Sequence, residues 1–497
     1  MKKSVAFIIS LISALILSVP GSCGADRNKT DGSRPGDGGD EVASAEYMVK
    51  FAEPRQIIEG IGVELQSDAF GPNYKNTDAI KGVPHELTAS ERYRLSTEML
   101  TGFRYMRIAA GLWFRGVTAD GKNIVERYPG QAKGILDLMK NAGMEAISYE
   151  YWSVAPYWKS NNRLVRGKIK QFDAAFLDKL GDALVKDVRY MQGKGFKIRA
   201  WGLQNEAAQP ESNSIGYPHV YYTPDEYVKV FKAVAPKIKA ALPGTEIIAE
   251  TMNGCLGAFG KAIRRDSAAL AALDTWVYHK TGSNADLMIE KGELMSADRS
   301  GKPIYTNEYE YNKKRRDEWS DEFRLVNTAN NIMNWMTFLD APAWYWLHAL
   351  KPINDSNHKG FGLGVYRPQG YTEMQDEYSH IAEGHWVFQP VNFNGVAGFA
   401  KHLPWDSRRY HVAEPDPVLK DQRIMSWKSP DGKRGFVLTN RSDKPFDFVI
   451  NVENPSLAFQ GYLYDMDCAN KTLDKITGKA RHTIRLAPWS IQFWVEQ

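Results

Sequence analysis

A chain of 497 residues, 43% hydrophobic and 25% charged, has room for one large domain and a smaller one, each with its own core. Its 63 Lys and Arg against 59 Asp and Glu leave a formal charge of +4 without a long basic run, which removes nucleic acid from the partner classes. Three cysteines, Cys23, Cys255 and Cys468, are too few and too widely spaced for a disulfide framework or a zinc site. Aromatic residues reach 12%, with 14 Trp, a surplus that reads either as bulky core packing or as flat platforms under sugar rings.

Residues 1–22 read as an export signal, because Lys2 and Lys3 precede an apolar run over 5–19 that gives way to small residues. Pro20-Gly-Ser-Cys23 resembles a bacterial lipoprotein cleavage box, with Pro20 where Leu is usual. The expectation is an exported chain lipidated at Cys23, anchored in the outer membrane and joined to its folded part by a polar tether over 23–46. Plain cleavage followed by a disordered tail, giving a secreted protein, is the other reading. A lipid at Cys23 is the one membrane contact expected, and a monomer is the expected state.

From about residue 57 to 404, β-branched apolar runs alternate with segments of helical period. Strands are expected at 57–65, 103–109, 144–150, 197–204, 246–251, 273–279, 303–308 and 343–350. Between them, Thr88-Ala-Ser-Glu91 and Thr223-Pro-Asp-Glu226 have the form of capping boxes, the second with Pro224 at the favoured first position. Phe176, Leu177, Leu180, Leu184, Val188 and Met191 make one apolar helix face. Eight strands with crossover helices predict an α/β fold, a closed (β/α)8 TIM barrel over 57–404. An open doubly wound sheet is the alternative, and the lack of a Gly-rich phosphate loop after the first strand counts against it. Beyond 404 short alternating strands at 423–428, 434–439, 446–452, 484–486 and 490–495, with the turn Pro430-Asp-Gly-Lys433, predict a C-terminal β-sandwich. Residues 47–53 alternate as well, so 47–56 joins 405–497 in a side domain expected to be structural.

The run Ala200-Trp-Gly-Leu-Gln-Asn-Glu-Ala-Ala-Gln209 begins as a buried strand and then turns abruptly polar. Burying Gln204, Asn205 and Glu206 is costly unless something polar meets them. In a parallel barrel the reactive groups stand at the C-terminal strand ends. Glu206 follows the fourth strand and Glu308 ends the seventh, 102 residues on, or three βα units of about 34. Two carboxyls on nearly opposite strands suit glycosidic cleavage, with one acid for the leaving oxygen and one carboxylate to attack or to activate water.

Asn205-Glu206 after strand four, with a Glu ending strand seven, resembles the retaining hydrolases of glycoside hydrolase clan A, and the fuller pattern is similar to glycoside hydrolase family 30. Ile58-Glu-Gly-Ile-Gly62 looks like that family's opening strand, and Trp152-Ser-Val-Ala-Pro-Tyr-Trp-Lys159 resembles its segment after strand three. Arg107 sits where the clan keeps an Arg on strand two, and Trp346 where it places a sugar-stacking aromatic on strand eight. The likeness runs over about 450 residues. It departs at Tyr305-Thr-Asn-Glu308, where Trp-Thr-Glu is usual, and at Gly62-Val-Glu-Leu-Gln-Ser-Asp68.

The resemblance implies a β-linked glycan as substrate, with Glu206 as acid/base, Glu308 as nucleophile and Asn205 at the sugar 2-OH, Arg107 standing beside the nucleophile. Glu310 rivals Glu308, since both project to one side of a regular strand. Glu150 reads as a substrate-binding carboxylate or as a salt-bridge partner. Trp152, Trp158 and Trp346 are candidate sugar platforms, with Trp113, Trp276 and Trp344 open between platform and core. His279 and His348 are candidate hydrogen-bonders to sugar, and neither has further ligands at a metal-binding spacing, so no metal or cofactor is expected. The leading function is a retaining β-glycosidase, against a non-catalytic glycan-binding lipoprotein or a transglycosylase using the same carboxylates.

Overall fold

The computed structural model describes residues 42–66, 87–208, 216–254, 257–279, 283–369, 371, 376–452 and 457–497. The export signal, Cys23, Cys255 and the tether as far as 41 lie outside them. Among the described residues no helix is long and apolar enough to cross a membrane.

Eight parallel strands close into a barrel: Gly60–Glu64, Tyr105–Ala110, Ala146–Tyr151, Ile198–Gly202, Glu246–Asn253, Thr275–His279, Ile304–Tyr309 and Ala343–Pro352. All eight fall where periodicity expects them, because strands covered on both faces read as apolar runs. Closure comes from the eighth strand, which pairs with both the first and the seventh. Tyr105, Tyr305 and Tyr345 stack inside the lower barrel with ring centroids 6.2 and 5.8 Å apart. The Arg199 guanidinium lies 4.5 Å from the Tyr105 ring. Gly62 is required in this layer, since a Cβ there would fall 2.3 Å from the Tyr345 ring. Two strands that the sequence reading missed, Gly362–Tyr366 and Trp386–Phe388, extend the eighth strand outward.

The helix Ala174–Lys194 lays Leu177, Leu180, Leu184, Val188 and Met191 on the barrel, with Phe176 half-buried at the edge. The helix Pro224–Ala241 begins in a complete capping box at Thr223 and Glu226. The box expected at Thr88 is only half made. The Thr88 hydroxyl accepts from Glu91 N, but Thr88 N donates to Gly384 O, and the Glu91 carboxylate turns to Arg94 and Trp386 N instead.

The side domain is a curled ten-stranded sheet that forms a sandwich around Tyr47, Val49, Phe436, Phe448, Ile450 and Trp494. Its strand Ser44–Ile58 runs antiparallel to Ser407–Ala413 and parallel to Phe446–Val452, so both ends of the folded chain share one sheet. Residues 44–46, read from sequence as tether, already pair with 447–449. Strand Ala458–Tyr464 escapes sequence reading because Gly461 interrupts its pattern. A Cβ at Gly461 would lie 2.8 Å from the Trp494 ring, so the packing requires glycine. Strand Ser407–Ala413 escapes because its arginines break the alternation: Arg408 bonds Arg55 O, while Arg409 bonds Gln56 and, on the barrel, Asp340. Buried Arg423 likewise joins Asn334, on the barrel helix Asp321–Phe338, to Glu414.

Asp187 interrupts the apolar face of Ala174–Lys194 and is fully buried. Its carboxyl accepts from Tyr151 Oη at 2.9 Å, Asn123 Nδ2 at 2.7 Å and Ile124 N at 3.0 Å, tying the helix to the third barrel strand. Burial pushes its pKa from the ordinary 3.8 up to about 7, although these hydrogen bonds oppose the rise. Between those values the folded state holds a proton that the unfolded state has released, so stability falls as pH rises from about 4 to about 7. The Asp187→Asn variant keeps both acceptor and donor geometry but lacks this titration. Its thermal midpoint should therefore gain on wild type across that window and run parallel above it, and parallel curves throughout would refute the assignment.

Candidate active site

Arg107, on the second barrel strand, organises the C-terminal mouth of the barrel. It is fully buried, and a buried guanidinium persists only where its donors are matched. Nε and Nη2 donate to Glu150 Oε2 at 2.9 and 2.6 Å, Nη1 to Glu308 Oε2 at 2.6 Å, and Nη2 to Asn205 Oδ1 at 2.7 Å. The guanidinium stacks 4.5 Å from the Trp152 ring. Burial acts to lower its pKa, but Glu150, Glu308 and Glu64 more than reverse this and raise it above the usual value. Three carboxyls around one cation leave excess negative charge. The strain falls on Glu64, whose pKa burial pushes up to about 8 while Arg107 pulls it down and Glu308 adds to the rise.

The polar end of the 200–209 run forms a turn just past the fourth strand. Asn205 N donates to Tyr151 O and Glu206 N to Thr251 O, while Gln204 Nε2 donates to Trp152 O. These bonds hold Glu206 at φ 47°, a left-handed conformation costing a non-glycine residue about 1 kcal/mol. Its carboxylate aims at the axis, where His279 Nδ1 lies 3.3 Å from Glu206 Oε1 and 3.7 Å from Glu308 Oε2. A carboxylate oxygen of Glu206 and one of Glu308 lie within 4.8 Å of each other.

A bulge explains how the seventh strand brings two neighbouring side chains inward. Thr306 pairs with Tyr278 and Glu308 with the next residue, His279, so Asn307 is the extra residue. Asn307 Nδ2 reaches Glu150 Oε2 at 3.1 Å while Glu308 meets Arg107. Regular alternation therefore fails here as a guide to Glu308 against Glu310, and it is Glu308 that joins the cluster.

Of the residues named from sequence, Arg107, Glu150, Trp152, Asn205, Glu206, His279 and Glu308 converge. Glu150 is fully buried and its bonded oxygen serves Arg107 and Asn307, as a salt-bridge partner does. Trp158 packs elsewhere: its indole donates to Lys122 O at 2.8 Å and its ring lies edge-on to Tyr157 and Phe176. Trp346 is also displaced from the platform role. Tyr345 faces the barrel axis, so Trp344 and Trp346 share the opposite face, fully buried, with Trp344 bonded to Asn331 and Trp346 to Phe361 O. A register shift between Trp346 and His348 reverses the parity, so the eighth strand contributes His348 to the mouth instead, 3.5 Å from Glu64. Half-buried Trp113 donates to Glu64 Oε1 at 3.1 Å. Glu64 and Asn307 were missed, although the rule that selected Glu206 and Glu308, a carboxyl at a strand's C-terminal end, also points to Glu64.

Buried Lys159 fastens the loop after the third strand, donating to Ser153 Oγ, Leu164 O and His219 O. Glu206, His279 and Glu308 are spaced to hold a cation, which sequence spacing did not reveal. The Arg107 guanidinium already occupies Glu308 and would repel one.

No family model matches the sequence, and no curated protein matches it. Solved structures do match. An endoxylanase of glycoside hydrolase family 30 from Clostridium papyrosolvens C71 superposes with a TM-score of 0.63 at 16% identity, over 91% of this chain and 100% of that one. A conserved exported protein from Bacteroides fragilis gives 0.70 at 14% identity, over 90% and 99%. An endo-beta1,6-glucanase gives 0.62 at 14% identity, over 90% and 94%. The chain thus has the fold of the clan A glycoside hydrolases, a TIM barrel with a side sandwich of the family 30 kind.

Proposed function

We propose that this protein is an exported retaining β-glycosidase acting on a β-linked poly- or oligosaccharide. The observation that carries the reading is the approach of Glu206 and Glu308 oxygens to within 4.8 Å. Oxygens this close favour a pair whose carboxyl groups stand about 5–5.5 Å apart, so that one attacks the sugar directly, over an inverting pair about 6.5 Å or more apart that admits a water. The xylanase and glucanase functions of the fold neighbours support the same reaction class.

Glu308 attacks the anomeric carbon while Glu206 gives its proton to the departing glycosidic oxygen, leaving a glycosyl ester on Glu308. Glu206, now ionised, takes a proton from water, whose oxygen displaces Glu308 and restores both groups. Arg107 holds the nucleophile's Oε2 at 2.6 Å and fixes its direction of attack. Arg107 can only donate, so the Asn205 oxygen faces it and the Asn205 NH2 is turned toward the sugar, suited to the 2-OH. His279, between the two carboxylates, is placed to guide proton movement. Lipid attachment at Cys23 after removal of 1–22 would hold a monomeric enzyme at the outer membrane. The exported neighbour supports export.

Protein spanning 24–497, assayed for reducing-sugar release on β-glucans, xylans, galactans and aryl β-glycosides, should cleave at least one. The Glu308→Gln variant should lose three or more decades of that rate, about 4 kcal/mol of barrier. The Glu206→Ala variant on an aryl glycoside with a good leaving group should be rescued by azide, which needs no base to attack the ester. Tight polysaccharide binding without cleavage by any form would replace the enzyme with a capture module. In cells fed labelled palmitate the full chain should take up label and its Cys23→Ser variant none, while label on both would exclude Cys23 as the anchor.

A further inference from the structure

The first barrel strand delivers a carboxyl that the two-carboxylate chemistry does not use. Glu64 ends Gly60–Glu64 at the mouth, in register with Arg107 on the second strand and His348 on the eighth. It is 1% exposed. Oε1 accepts from Trp113 Nε1 at 3.1 Å and lies 3.5 Å from His348 Nδ1. Oε2 lies 3.3 Å from Arg107 Nη1 and has no hydrogen-bond partner among the described residues. A bound hydroxyl would supply the hydrogen bond that this buried oxygen lacks.

Position around the barrel says which hydroxyl. Glu206 follows strand four, and strand eight lies diametrically across from it, with strand one next to eight. Glu64 and His348 therefore line the wall away from the proton donor. Glu206 must stand at the leaving-group side of the scissile bond, so the opposite wall meets the far side of the cleaved sugar ring. Arg107 Nη1 bridges Glu64 Oε2 and Glu308 Oε2, which keeps this wall within one sugar ring of the nucleophile. The half-buried Trp113 ring stands edge-on to His348 with centroids 6.4 Å apart and closes the same corner.

We propose that Glu64, oriented by Trp113 and flanked by His348, binds the 3,4-diol of the sugar whose glycosidic bond is cut, and so selects glycosides in which those hydroxyls are free. Glu64 Oε2 takes one hydroxyl and His348 stands by its neighbour. The proposal rests on the glycosidase reading and deepens it. An acid kept largely neutral below pH 8 can also donate to the diol, which suits this wall beside two other carboxylates.

The test compares kcat/KM on 4-nitrophenyl β-glycosides of glucose, galactose and xylose with that on the 3-deoxy and 4-deoxy forms of the preferred sugar. Glu64→Ala should lower kcat/KM on the parent by roughly 10- to 100-fold, as expected for one lost buried hydrogen bond. On the deoxy form lacking the held hydroxyl it should change little. Trp113→Phe, which keeps the ring but removes the orienting N–H, should give the same selective loss in smaller measure, and it carries the test should Glu64→Ala not fold. An equal loss on parent and both deoxy forms would mean that Glu64 only balances Arg107, and would overturn the proposal. Wild-type protein inactive on every glycoside would instead overturn the glycosidase reading, and this inference with it.

Discussion

The mouth of this barrel is built around one buried guanidinium. Arg107 has no solvent to screen it, so its donors must be met from neighbouring strands, and they are met from three of them and the turn after a fourth. The requirement locks Glu150, Glu308 and Asn205 around it, and Asn205 leads into the turn that carries Glu206. Two carboxylates near each other would otherwise repel. Arg107 offsets that repulsion for Glu308, and His279 stands between the pair. The surplus of acid is relieved at Glu64, which burial drives toward its neutral form.

The rest of the fold serves to keep those strand ends in register. A stacked tyrosine layer fills the lower barrel, and Asp187 ties an outer helix to Tyr151, next to Glu150 on the third strand. The sandwich is fastened to the barrel by buried polar groups, Arg409 to Asp340 and Arg423 to Asn334. It is also packed at Gly398 of the barrel helix Pro390–His402, where a Cβ would come 2.1 Å from the Phe493 ring. A domain woven from both ends of the folded part is thus held closely against the helices and loop that flank the eighth strand.

Much of this was legible in the sequence because period is physics. Doubly covered strands must be apolar, so all eight were found, and a strand that ends in Gln-Asn-Glu marks its own mouth. What was not legible depends on single-residue shifts of phase. The bulge at Asn307 turns two adjacent side chains inward, which no alternation rule anticipates. Trp346 carries the right residue type at the right height but the wrong parity, and faces the helices. Trp158 satisfies its indole on a loop carbonyl, a partner that only the folded chain supplies. Glu64 was visible as a departure from the family pattern, yet its meaning needed Trp113 and His348 brought beside it. Gly461 broke a strand pattern because an indole from another strand lies over it.

The double displacement proposed for this site requires Glu308 to form a covalent bond to the sugar. Incubation with an activated 2-deoxy-2-fluoro β-glycoside of the preferred sugar slows release of the glycosyl ester, and peptide mass mapping then locates it. A single adduct is expected on the peptide containing Glu308, formed in step with loss of activity. An adduct on another carboxylate, or steady turnover to product of inverted configuration with no adduct, would contradict it.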